Sequence, residues 1–169
     1  MKRLEKLEDK DTEKVVSFYR VAKDYCNFIN NHSGIVYRDV SDWMILLMNL
    51  YICALEMSEL ELEKTEEGPS NVSLYEKIQS DKFVPPVYWV VFNPLEKEDP
   101  VCSNLGDDVT DISMNLRNGI EEYESGNIEQ AAFVWLNMLD HLGRHTVNAL
   151  KTFHELRTQK LMAGNDELE

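Results

Sequence analysis

Five side chains in the C-terminal half of the chain could do chemistry together. Asp107, Asp108 and Asp111 place carboxylates at an Asp-Asp-x-x-Asp spacing, and His141 and His145 place two imidazoles four residues apart. Carboxylate oxygens and imidazole nitrogens are the donors that hold Mn²⁺, Fe²⁺ or Zn²⁺. Imidazole also exchanges protons near neutral pH. On a helix, residues four apart leave the same side, so both imidazoles share a face. Each motif is plain by itself. The triple aspartate formally matches the magnesium motif of prenyl-diphosphate enzymes, but those need a second metal motif and a larger helical cavity. Asp107 and Asp108 also fall in the first turn of a predicted helix, where a carboxylate interacts with the positive end of the helix dipole for about 0.3–1 kcal/mol. The histidine pair would need Glu between its members to make a zinc peptidase, and Leu142 stands there instead.

The two motifs say more jointly, because of the elements that carry them. Leu105, Val109, Ile112, Leu116, Ile120 and Tyr123 form an apolar stripe, as do Ala131, Trp135, Met138, Leu139, Leu142, Ala149, Leu150 and Phe153. Gly126-Asn127 breaks the chain between the stripes. If the two helices fold back about Gly126, positions whose numbers sum to about 252 lie level. Asp111 is then level with His141, roughly 22 Å from the turn, and Asp108 with His145, about one helical turn farther along. Aspartates and histidines are each offset to one side of their own stripe by roughly 75–135°. Those offsets turn either both toward the shared interface or both away, according to the hand of the hairpin. Three outcomes stay open: a metal centre on Asp108, Asp111, His141 and His145, a set of Asp–His hydrogen bonds bracing two helices, or no cluster.

Upstream, Val15, Phe18, Tyr19, Ala22, Tyr25, Cys26 and Ile29 predict a first helix over about 12–31, stopping at Asn30-Asn31-His32-Ser33-Gly34. Ser41 or Asp42 can cap a second helix carrying Trp43, Leu46, Leu47, Leu50, Tyr51, Ala54 and Leu55. Its apolar run, 43–55, contains Asn49 and is short for a bilayer, so it reads as a core helix. A short third helix is predicted over 72–79. Pro85-Pro86 then forbids helix, and Val87-Tyr88-Trp89-Val90-Val91-Phe92 favours extended backbone. One strand cannot form a sheet alone, so an extended crossover over about 83–102 is expected to pack across the helices with its aromatics as wedges. Tyr88, Trp89, Phe92 and Trp135 are the candidates to line a groove, against the ordinary fate of such aromatics in a core. The fourth helix starts near Ser103 or Asn104; Asn127 can cap the fifth, which reaches about Gln159. The fold class is therefore all-α: a single domain over 1–169, an antiparallel bundle of about five helices with one extended crossover and a frayed tail over 163–169.

Composition excludes some partners. Seventeen basic against 31 acidic side chains give a net charge of −14, which repels phosphate backbones and anionic lipid; neither nucleic acid nor membrane is an expected partner. A basic protein partner is compatible with that charge. Cys26, Cys53 and Cys102 lie far apart with no Cys-x-x-Cys, so neither a zinc knuckle nor a redox pair is signalled, and a reducing cytoplasm is the expected setting. The charged start Met1-Lys2-Arg3-Leu4-Glu5-Lys6 lacks the apolar run of a signal peptide. No nucleophile elbow, phosphate loop or dinucleotide fingerprint occurs. The acidic run Glu56, Glu59, Glu61, Glu63 partly matches the Glu-x-x-Glu of all-α nucleotide pyrophosphohydrolases, yet their second motif should come much sooner than Asp108-x-x-Asp111; a solvated face accounts for it.

The strings Tyr88-Trp89-Val90-Val91-Phe92-Asn93-Pro94, Leu105-Gly106-Asp107-Asp108-Val109-Thr110-Asp111-Ile112 and His141-x-Gly143-x-His145 together resemble a bacterial domain family of unknown function. Gly119, Gly126, Trp135, Ala149-Leu150, Tyr25-Cys26-x-Phe28 and the 43–51 helix fit the same family, so the resemblance spans most of the chain. Leu142 stands where that family often carries Trp. The resemblance implies a mostly helical bacterial cytosolic protein and places Asp107, Asp108, Asp111, His141 and His145 in one pattern; it implies no activity. Two functional expectations arise. The first is a non-enzymatic binding or accessory module with protein partners and no cofactor. The second is a metal-dependent hydrolase of a phosphorylated or nucleotide-like small molecule, whose Asp/His cluster holds a divalent metal that activates water.

Overall fold

The computed structural model describes residues 7, 9–31, 39–60 and 87–163. Within them lie α1 (Asp9–Asn31), α2 (Val40–Met57), β1 (Val87–Val90), β2 (Val101–Asn104), α3 (Leu105–Glu124) and α4 (Ile128–Ala163). The protein is mostly helical, with four helices among the described residues where about five were expected. The predicted 72–79 helix, the start of the crossover at 83–86 and the tail beyond 163 lie outside them.

The apolar spacing forms the helices as expected. Val15, Phe18, Ala22, Tyr25, Cys26 and Ile29 make the buried face of α1, which ends at Asn31. Helix α2 begins one residue before the expected caps: Asp39 is the N-cap, without a side-chain cap bond. Its inner face is Val40, Trp43, Leu47, Leu50, Ala54 and Met57. Ile45, Met48, Ile52 and Leu55 are exposed on the other. At 18 residues α2 is, among the described residues, the one helix long and apolar enough to cross a membrane by length and composition alone. The expectation of a short core helix is corrected accordingly: the helix is longer than the 43–55 run, and only one face of it enters the core.

Neighbouring helices run antiparallel. Lys14 meets Glu59 and Phe28 meets Trp43 between α1 and α2. Trp43 stacks on Phe153 of α4. Tyr19 stacks on Tyr123 of α3, while Cys26 lies against Ser113. With α3 folded against α4, the four helices form a ring in the order α1, α2, α4, α3. The core inside it is closed by Trp43, Trp135, Tyr25, Phe18 and Phe153.

The α3–α4 hairpin has a glycine-dependent turn. Gly126 has φ 86°, a left-handed conformation in which any side chain is strained. Its N–H donates to Tyr123 O at 3.0 Å and the next N–H, of Asn127, to Glu122 O at 2.9 Å; this pair of bonds closes a Schellman motif. The Asn127 carbonyl accepts the first bond of α4, whereas its side chain turns back to Glu122. The helices then approach closely at Gly119, where the Trp135 ring takes the space a Cβ would occupy.

The extended segment is not a lone strand. Val87, Tyr88, Trp89 and Val90 pair antiparallel with Asn104, Ser103, Cys102 and Val101. The expected wedging holds for Tyr88, which packs against the core, and fails for Trp89 and Phe92, which are 69% and 66% exposed. The ladder pairs the facing backbone groups of both strands, so the segment is held without every side chain sinking between helices. The partner strand is short and runs directly into α3, whose N-cap Asn104 accepts from the N–H groups of Gly106 and Asp107.

Candidate functional site

The α3–α4 hairpin turns the acidic and imidazole side chains inward. His145 Nδ1 donates to Asp108 Oδ1 at 2.8 Å, in the register expected from the turn. Asp108 is 2% exposed and accepts a second bond from the Tyr88 hydroxyl. Tyr88 arrives because it faces Ser103 across the β-ladder, shortly before Asp108 on the continuous β2–α3 segment. His145 Nε2 faces His141 Nε2 at 3.3 Å and Asp111 Oδ2 at 3.7 Å. The outer nitrogen of His141, Nδ1, meets the Asn115 amide at 2.9 Å. A chain of polar contacts therefore runs Tyr88, Asp108, His145, His141, Asn115, in which Asp108 and Asn115 are buried and His141 is exposed.

The fields on the two rings differ. His145 is held above the ordinary imidazole value, first by its hydrogen bond to Asp108, then by the charges of Asp108 and Asp111, with burial opposing. His141 is pushed below it, first by burial and then by the neighbouring His145, with Asp111 opposing. A proton added to the pair therefore resides on His145. Burial, followed by the bond to Asp108, holds the Tyr88 hydroxyl well above the usual phenol range, so it stays a donor.

The expected residues divide. Asp108, Asp111, His141 and His145 come together; Asp107 does not. It is exposed in the first turn of α3, its N–H on the Asn104 side chain at 3.3 Å, which is the dipole role that also stood open for it. Asp111 approaches His145 rather than His141, the ring it was expected to meet. Trp135 is no groove residue: it is 1% exposed, its Nε1 donates to Leu116 O at 3.1 Å and Phe18 packs against it. Asn115 lies outside the two sequence motifs, although its spacing of four from Asp111 and seven from Asp108 marks it as a member of the same helical row. In the sequence Tyr88 is one aromatic among several; its partnership with Asp108 depends on a strand pairing that has no sequence signal. Among the described residues no group of three or more His, Cys, Asp or Glu side chains stands ready to hold a metal ion.

Beside this cluster lies an open cleft of about 1210 Å³ between α2, the hairpin and α4. Tyr51, Ala54 and Leu55 come from α2, Trp89 and Phe92 from the hairpin, and Gly143, Arg144, Val147 and Lys151 from α4. Tyr88 borders both features, lining the cleft with its ring and reaching Asp108 with its hydroxyl. Lys97, Arg144 and Lys151 among its walls are balanced by Glu96, Glu98, Asp140 and Glu155.

Fold and site together define a helical-bundle protein with an Asp/His hydrogen-bond chain at one interhelical seam and an aromatic cleft beside it. Residues 9–159 match the model of a family described as a domain of unknown function (DUF5063), and the chain belongs to that family. Comparison with curated proteins and with solved structures returns no significant match.

Proposed function

We propose that this protein is a binding module that takes an apolar segment of a partner protein, flanked by basic residues, into the cleft between α2, α4 and the β-hairpin. The observation that carries this reading is the exposure of Trp89 and Phe92 on the hairpin wall of that cleft. Large aromatics left in water on a concave apolar surface are the usual anchors of recognition. The exposed Ile45, Met48, Ile52 and Leu55 stripe of α2 continues the apolar surface, since Leu55 also lines the cleft. The net charge of −14 favours approach by a basic partner. The absence of any nucleophile or phosphate-loop motif in the sequence agrees with a role that is not catalytic.

Trp89 supplies its own reporter, because Trp43 and Trp135, the other two tryptophans, are buried. Titration with peptides sharing one apolar core but carrying basic, neutral or acidic flanks should blue-shift Trp89 emission, with the basic set binding tightest. Trp89→Ala and Phe92→Ala should lose binding, monitored for the former with a labelled peptide. Equal binding by the Phe92→Ala protein, or no shift with any peptide, refutes the reading.

One observation favours a second reading, the metal-dependent hydrolase: two imidazole nitrogens converge beside Asp111. Arg144, on the same helix, could meet a phosphate. Turnover of p-nitrophenyl phosphate or a nucleoside triphosphate with added Mn²⁺ or Zn²⁺, abolished by His145→Ala, would support it; turnover that survives the substitution would not.

A further inference from the structure

We infer that the outer face of α2 docks an amphipathic α-helix of the partner protein, packed along it as in a two-stranded coiled coil and carrying cations on one edge. The inference rests on the reading of the adjacent cleft as a protein-docking surface. It specifies the conformation and the charge pattern of the segment that docks.

The spacing of exposed apolar residues carries the helical part. Ile45, Met48, Ile52 and Leu55 are between 43% and 54% exposed, and they are the large apolar side chains that α2 leaves in solvent. Their intervals of three, four and three residues are those of the a and d positions of a heptad. A surface helix that only covers a core keeps its apolar residues on the inner side. Helix α2 already has a full inner face in Val40, Trp43, Leu47, Leu50, Ala54 and Met57, so the outer stripe is additional to what the fold requires. Isoleucine at the a positions with leucine at d is the pattern that favours pairs of helices. A strand repeats its side chains on one face every ~6.6 Å, out of step with the ~5.4 Å turns of α2. A second helix repeats in step. The stripe is about 15 Å long, the rise of ten residues, so about three turns of a partner cover it.

Charge along the stripe carries the rest. Asp42, Asn49 and Glu56, at intervals of seven, are exposed and form a row beside it, where a coiled coil sets its interhelical ion pairs. Among the described residues no ion pair engages either carboxylate. Helix α2 contains no Lys, Arg or His, so cations must come from the docked helix. On its other edge the stripe runs through Tyr51 and Leu55 into the cleft that Trp89 and Phe92 also line. A second copy of the chain does not answer: its α2 equally lacks cations, and pairing doubles a net charge of −14. A bilayer fits no better. The helix is long and apolar enough to span one, yet its inner face is committed to the core and anionic headgroups repel the acidic row.

The test uses the full chain and three synthetic peptides. One is a three-heptad helix former with Leu at a and d and Lys at e and g. The second carries a central proline, and the third has Glu in place of Lys. The Lys peptide should bind at least about tenfold tighter than either of the others. Carbon shifts of the labelled peptide should turn helical on binding. Shifts in the wild-type protein should map to Ile45, Ile52 and Leu55, a readout that requires no variant to fold. The double variant Ile45→Ser, Ile52→Ser should weaken the Lys peptide by at least about tenfold. Glu56→Lys should weaken it a few-fold and strengthen the Glu peptide. Equal binding by the proline peptide, with Trp89 emission still shifting, overturns the helical partner and leaves the cleft reading intact; no binding by any peptide removes both. Dimerisation of the chain alone in sedimentation equilibrium, or uptake by phosphatidylcholine vesicles, either one lost in the double variant, assigns the face to a second copy or to lipid and overturns the inference.

Discussion

Replacing Gly119 by alanine should destabilise the protein far more than its single methyl group suggests. A Cβ at this position would lie 2.1 Å from Trp135 Nε1, 2.3 Å from Cε2 and 2.6 Å from Cδ1, whereas ordinary contact begins at 3.4 Å. The indole must therefore retreat by about 1.3 Å, the difference between 3.4 and 2.1 Å. The ring has nowhere easy to go: it is 1% exposed, and Phe18 packs on it with centroids 5.0 Å apart. Its N–H also bonds Leu116 O at 3.1 Å, and a shift of that size breaks the bond. Overpacking a core costs about 1–3 kcal/mol, and orphaning a buried donor about 1–3 more, so the loss should be about 2–6 kcal/mol. For a domain of this length that lowers Tm by roughly 5–20 °C. Urea unfolding monitored by tryptophan fluorescence measures it as a lower midpoint at unchanged slope. In a Trp135→Leu background the clash is gone, and the same glycine replacement should be neutral or stabilising by up to about 1 kcal/mol, the helix preference of alanine. A loss below about 1 kcal/mol in the wild-type background, or an equal loss in both, would show that this contact does not set the α3–α4 distance.

Further outcomes concern the seam and the cleft. Asp108→Ala should cost about 2–4 kcal/mol, because it orphans two donors at a buried carboxylate, and should return the His145 titration to about 6.5 or below; proton NMR of the imidazoles reads the second effect. In the wild-type protein the same titration should place His145 above 6.5 and His141 below it, as their opposite shifts require. The raised value of His145 means that its contribution is complete below about pH 6.5 and is lost as pH rises through the folded value. The lowered value of His141 means that stability is lost as pH falls from about 6.5 through the folded value. The pair's contribution should therefore peak near pH 6.5, and a monotonic dependence attributable to these rings, isolated by comparison with a His141→Ala, His145→Ala double variant, would contradict the geometry. Tyr88→Phe removes one bond to Asp108 and should cost about 1–3 kcal/mol. Trp89→Ala should leave Tm within about 2 °C, since exposed substitutions stay within about 0.5 kcal/mol, while abolishing any blue shift on peptide binding.

Helix α3, helix α4 and their turn were legible in the sequence because each rests on local rules. Leu105, Val109, Ile112 and Leu116 recur with helical period, Asn104 caps a helix only on its C-terminal side, and Gly126 tolerates the left-handed backbone that ends a helix. From that turn, the rise per residue is enough to put Asp108 level with His145. Spacing cannot carry handedness: the same offsets would have pointed both motifs outward in the mirror arrangement, and only the packing of α3 and α4 against α1 and α2 chose the inward one. The hairpin was illegible for a related reason. Val87–Val90 announces a strand, but Val101–Asn104 is four residues of mixed character, and its pairing is a contact across ten intervening residues that local propensity does not encode. Tyr88 therefore looked like one more aromatic until the ladder set its hydroxyl on Asp108. The sequence determined which groups stand at which height along each helix, since that depends only on the helical rise. Tertiary structure decided which of them share a space, because interhelical distance and hand arise from the whole core closing at once around contacts such as Gly119 and Trp135.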